Sequence, residues 1–170
     1  MSSDTKKIAL VTGASRGLGA AVSIALAKED YHVIAVARTT GALEELDDRI
    51  QAEGGLATLV PLDITDEGAV KRMCISINKR WGGLDLWVHC AIYAAPLSPA
   101  GHISEKDWTK TIAVNITATG RLITNIESLL LAKSGLAIHI DDKADGHKFF
   151  ANYGASKAAP VSYTHLTLPT

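Results

Sequence analysis

Residues 12–19 read TGASRGLG, directly after the apolar run Ile8-Ala9-Leu10-Val11 and directly before a helix-forming stretch that ends near Lys28. A buried strand that turns on glycines and re-enters as a helix leaves few folds open. It is the arrangement a dinucleotide pyrophosphate needs, because the helix start aims unpaired N–H groups and the positive end of its dipole at the anion. Gly13 lets the chain turn tightly off the strand, Gly17 removes a side chain where backbone meets phosphate, and Gly19 lets the helix pack closely on the sheet. Ser15, Arg16 and Leu18 complete the turn and are candidate cofactor contacts with the three glycines.

The rest of the chain repeats the alternation. Short runs rich in Val, Ile and Leu at 7–11, 32–37, 56–61, 84–90 and 135–140 are predicted strands. Helices are predicted over 17–28, 40–53, 66–81, 104–131 (a short piece, then a long one) and from 151 onward. A threonine caps the second helix, Asp66 or Thr65 the third, and Gly54-Gly55 and Gly82-Gly83 stop them. Residues 96–101 and 141–152 read as loops, and Pro160 is expected to break the last helix. Strands separated by helices imply an α/β fold: a Rossmann-type, doubly wound parallel sheet with helices on both faces. One domain over residues 1–159 is expected.

Bulk properties narrow the partners. Lys and Arg number 17 against 18 Asp and Glu in 170 residues, which offers no surplus charge for nucleic acid or an anionic membrane. Two cysteines, Cys74 and Cys90, fit a reduced cytoplasmic protein better than a disulfide scaffold. No signal peptide and no membrane-spanning stretch is evident.

A second motif lies far from the first: Tyr153-Gly154-Ala155-Ser156-Lys157. Tyr153 and Lys157 are spaced i, i+4 and share one helix face. Hydride transfer to a carbonyl makes an alkoxide that needs a proton. A phenol titrating near 10 is a poor acid at neutral pH until an adjacent ammonium lowers its pKa. With both motifs in place, the chain resembles the short-chain dehydrogenase/reductase family over essentially residues 6–159. The resemblance implies a dinucleotide held by the TGxxxGxG turn, Tyr153 as acid/base, and Lys157 tuning it while binding the nicotinamide ribose. It also implies that Asn115 bends its helix and holds a water linking Lys157 to solvent, that Asp63 and the Ile64 backbone meet the adenine, and that Ala91 lies along the cofactor. A small-molecule carbonyl or alcohol substrate is expected, and a homo-oligomer for the complete protein.

Cofactor choice turns on the end of the second strand. NAD-binding sites place an acid there for the ribose 2′-hydroxyl. This chain has Ala37-Arg38-Thr39, and Arg38, helped by Arg16, suits a 2′-phosphate, so NADP(H) is favoured over NAD(H).

Two departures stand out. The family's NNAG motif becomes His89-Cys90-Ala91-Ile92, where His89 could replace the bracing asparagine and Ile92 adds bulk beside the cofactor. The family's catalytic serine falls on Asp142, or on Asp141 in a register shifted by one. An ionised carboxylate cannot donate to a substrate oxygen. Ser156 is no obvious substitute. His139, Asp141, Asp142 and His147 match no strong metal motif, so no metal is expected. The altered motifs keep a second reading open, a non-catalytic dinucleotide-binding protein. Residues 161–170, VSYTHLTLPT, fit no element of the fold and match a transposon-end sequencing adapter read in frame, so residues 160–170 are expected to be a non-native tail that leaves the sheet incomplete.

Overall fold

The computed structural model describes residues 6–141 and 148–167, with backbone alone from residue 160 onward. Five strands alternate with helices: β1 (Ile8–Thr12), α1 (Gly17–Lys28), β2 (His32–Ala37), α2 (Thr40–Ala52), β3 (Leu56–Pro61), α3 (Glu67–Trp81), β4 (Leu86–His89), α4 (Glu105–Thr111), α5 (Thr119–Leu131), β5 (Leu136–His139) and α6 (Ala151–Thr167). The strands form one parallel sheet in the order β3-β2-β1-β4-β5. The chain winds outward from β1 to β3, then returns to place β4 on the other side of β1. Beside that reversal, open α/β sheets bind their ligands.

Two compact units are present. One comprises the chain up to Ala91 with Asn125–Ile140; the other comprises Ile92–Thr124 and the chain after Ile140. In the first, alternation along the strands explains the core. Ala9, Val11, Val33, Ala35, Leu86 and Val88 share a cluster with Ala20 and Ala27 of α1 and Leu43, Leu46 and Ile50 of α2. The intervening Leu10, Ile34 and Trp87 are buried as well, so both faces of the central strands β1, β2 and β4 are covered, as a parallel sheet requires.

Local chemistry differs from expectation at several places. Thr39 occupies the N-cap of α2 but makes no side-chain cap bond. Of the two candidate caps for α3, Asp66 fills the role, its Oδ1 accepting from the Ala69 N–H at 2.9 Å. Over 104–131 the expected short and long helical pieces are present as α4 and α5, with no break between them. Ser104 caps α4, and a π-helical stretch, Ile112–Ala118, joins α4 to α5. The loop after β4 contains a short 3₁₀ turn, Ala100–His102. Pro160 does not end α6. A proline removes one N–H from the helical ladder, and the backbone nonetheless continues to Thr167.

Candidate cofactor and catalytic site

Apart from Tyr153 and Lys157, the cofactor candidates follow the C-terminal ends of β1, β2, β3 and β4. Gly13 has φ +75°, and a Cβ built on it would stand 2.6 Å from the Ala91 nitrogen. The Gly13 and Ala14 N–H groups both donate to the Val36 carbonyl, at 2.9 and 3.1 Å, which pins the turn to β2. A Cβ on Gly19 would collide with the Gly13 carbonyl oxygen, so this glycine lets α1 start tight against the turn. Gly17 is the opposite case: its φ is +56°, and a Cβ there would meet nothing within 4 Å. Its backbone borders open space at the helix start. No acid lies in the first turn of α1 to neutralise the dipole. Arg16 and Leu18 are exposed there, and Ser15 is half-buried. The residues present therefore fit a dinucleotide pyrophosphate.

Arg38 is exposed immediately after β2, and among the described residues neither it nor Arg16 is held in an ion pair. Asp63 is exposed after β3. Its Oδ1 accepts from the Thr65 N–H at 2.9 Å and the Thr65 hydroxyl at 2.8 Å, which fixes the carboxylate. Ile64 buries its side chain and leaves only backbone to offer.

At the end of β4, His89 is buried and its Nδ1 lies 2.7 Å from the Thr12 hydroxyl of β1. This is a brace between neighbouring strands, formed by residues that face each other in register. The His89 ring also lies near the Trp87 and His139 rings, with centroids 5.4 Å away in both cases. In the sequence, Thr12 carries no role beyond opening the TGASRGLG motif; its other signal is a polar residue closing an apolar strand. Ile92 is 43% exposed, so its bulk is not absorbed by a core.

The catalytic candidates belong to the second unit. Tyr153 and Lys157 are both half-buried on α6, one turn apart. Asn115 is buried within the π-helical stretch. Its Oδ1 accepts from the Tyr93 N–H at 2.8 Å, and its Nδ2 donates to the Tyr93 carbonyl and to the Ser156 hydroxyl, each at 2.9 Å. Tyr93 escaped the sequence reading entirely. Its hydroxyl donates to Asp107 at 2.6 Å; this bond pushes the phenol pKa up and holds the Asp107 carboxyl below its ordinary value. Asp142 and His147 lie outside the described residues. Asp141 is exposed, with Oδ1 4.0 Å from Lys157 Nζ, so a carboxylate does stand by the lysine.

A model of the short chain dehydrogenases matches residues 7–167. The chain belongs to the short-chain dehydrogenase family. Over 161 residues it is 30% identical to 2,3-dihydro-2,3-dihydroxybenzoate dehydrogenase of Bacillus subtilis (strain 168), covering 93% of this chain and 61% of that protein. It is 33% identical over 160 residues to a fatty acyl-CoA reductase of Acinetobacter baylyi, covering 90% of this chain and 53% of the relative. The solved structure of a metagenomic short-chain oxidoreductase in complex with NADP superposes with a TM-score of 0.87 at 27% identity, over 94% of this chain and 73% of that one. This short-chain dehydrogenase chain thus spans between about half and three-fifths of the two curated relatives. Among its described residues, no helix is long and apolar enough to cross a membrane.

Proposed function

We propose that this chain carries the cofactor turn and the Tyr/Lys pair of an NADP(H)-dependent oxidoreductase acting on a small-molecule carbonyl or secondary alcohol. One observation carries the cofactor choice: exposed Arg38 stands at the end of β2, where a reader of the 2′-hydroxyl would be acidic. Exposed Arg16 adds to it, while the acid-free start of α1 suits the pyrophosphate of either dinucleotide. The NADP held by the similar metagenomic oxidoreductase agrees with this choice.

When bound, the nicotinamide supplies or accepts the hydride. The chain's own residues handle the proton. Tyr153 donates its phenolic proton to the oxygen of the carbonyl being reduced and takes one back in the reverse direction. The Lys157 ammonium favours the phenolate and holds the ribose hydroxyls. Arg38 and Arg16 pair with the 2′-phosphate, and the open backbone at Gly17 admits the pyrophosphate.

A second reading, a dinucleotide-binding protein without turnover, draws on Asp141. A carboxylate beside Lys157 competes with the phenol for the ammonium and opposes negative charge growing on a substrate oxygen. Fluorescence titration with NADPH and NADH, on the parent and on Arg38→Ala, tests the cofactor choice. The parent is expected to prefer NADPH, and the variant to lose about tenfold in NADPH affinity with NADH unchanged. An equal loss for both cofactors would refute the assignment of Arg38. Carbonyl reduction by the parent, abolished in Tyr153→Phe, supports the enzyme; tight NADPH binding with no reduction of any carbonyl favours the second reading.

A further inference from the structure

Four buried polar side chains surround the start of α6: Thr111, Asn115, Asn152 and Ser156 are 0%, 3%, 5% and 0% exposed. Burying polar groups is costly unless each is satisfied, and here two of them, Asn152 and Ser156, bond the Tyr153 backbone while Thr111 and Asn115 bond those two. The Ser156 hydroxyl donates to the Tyr153 carbonyl at 2.7 Å and accepts from Asn115 Nδ2 at 2.9 Å. Asn115 is fixed in turn by its two bonds to the Tyr93 backbone. On the other side, the Tyr153 N–H donates to Asn152 Oδ1 at 2.9 Å. Asn152 Nδ2 donates to the Thr111 hydroxyl at 3.2 Å, and that hydroxyl donates to the Asp107 carbonyl at 2.7 Å. The N–H of Tyr153 is one of the donors that a helix start leaves without an intrahelical partner, so Asn152 satisfies a group the helix cannot.

We infer that Ser156 and Asn152 are positioning residues that clamp the Tyr153 backbone from both sides, tying it to the helix formed by α4 and its π-helical extension. The inference rests on the reading of Tyr153 as the proton donor. A half-buried phenol on the first turn of a helix needs this. Helix starts fray, and the effect of Lys157 on the phenol falls off with distance. Ser156 therefore does not replace the missing serine as a donor to substrate; it holds the tyrosine that does the proton transfer. The π-helical stretch sets where Asn115 can reach, since one wide turn re-aims its side chain relative to the flanking α-helix.

The test compares Ser156→Ala and Asn152→Ala with Ser23→Ala, a control in which another fully buried serine hydroxyl loses its bond to a helix carbonyl, Gly19, at 2.8 Å. Two quantities are measured without substrate or cofactor: amide hydrogen exchange across 151–157, and the Tyr153 phenol titration, taken as the ultraviolet difference from Tyr153→Phe. Either clamp variant is expected to speed exchange there about tenfold, and to raise the phenol midpoint by about half a pH unit, while the control changes neither. If one variant does not fold, the other decides. Unchanged exchange, or exchange no faster than in the control, overturns the clamp. Faster exchange with an unmoved phenol overturns the positioning role. A phenol that titrates as ordinary tyrosine in the parent refutes the Tyr/Lys reading instead, and the exchange data alone then decide the clamp.

Discussion

Glycine at 13 and glycine at 17 share a left-handed backbone but answer to different physics. At Gly13 a methyl would strike the Ala91 backbone, and neither partner is a flexible side chain that can give way. At Gly17 the space is open, so the protein itself tolerates a methyl sterically and meets only the strain of φ +56°. Gly13→Ala is therefore expected to lose at least about 1–3 kcal/mol of stability, measured as a fall in the chemical denaturation midpoint. Gly17→Ala is expected to lose clearly less stability and yet weaken NADPH binding. Equal destabilisation by the two substitutions would overturn the steric contrast, and unchanged NADPH binding in Gly17→Ala would show that the open space there is not reserved for a ligand.

Among the secondary-structure elements, β2 and β3 carry a pH sensitivity remote from the candidate site. His32 opens β2, with Nε2 2.8 Å from the Thr58 hydroxyl of β3 and its ring 5.3 Å from that of Trp81. Burial, and then the positive charges of Arg80 and Lys6, hold its pKa below the ordinary 6.5. A base whose pKa is lowered on folding binds fewer protons folded than unfolded. Its neutral form thus contributes stability above pH 6.5 that is lost as pH falls toward the folded pKa. His32→Gln is expected to flatten the decline of the melting temperature between about pH 7 and pH 5. Parallel curves for parent and variant would remove His32 as a source of that decline.

At the scale of the whole sheet, β5 pairs with β4 and with no other strand among the described residues. Leu136 is 58% exposed and Ile138 40%, so this strand presents apolar surface. Light scattering of concentrated samples is expected to fall in Ile138→Lys, because a lysine on an edge strand opposes edge-to-edge pairing. Scattering unchanged by that substitution, or a parent that does not scatter above a monomer, would overturn this role of β5.

The order of elements was legible because the central strands β1, β2 and β4, buried on both faces, read as continuous apolar runs, the outer strands as short Val/Ile/Leu runs, and the helices as periodic ones. The glycine turn and the spacing of Tyr153 and Lys157 were legible because each is a local pattern. Arg38 could be placed at the end of β2 by counting along a strand. Pro160 misled because its effect on a helix was judged from one residue, whereas the backbone continues through it. The short-helix, long-helix reading of 104–131 missed the π-helical stretch, which no local periodicity announces. The sequence by itself determined the fold class, the family and the residues available for proton and anion chemistry, since these follow from patterns within a few residues. Only the tertiary structure decided that His89 bonds Thr12, that Gly13 abuts Ala91, and that Asn115 reaches both Tyr93 and Ser156. Those partners lie tens of residues apart, and a hydrogen bond between them exists only once packing has brought them together.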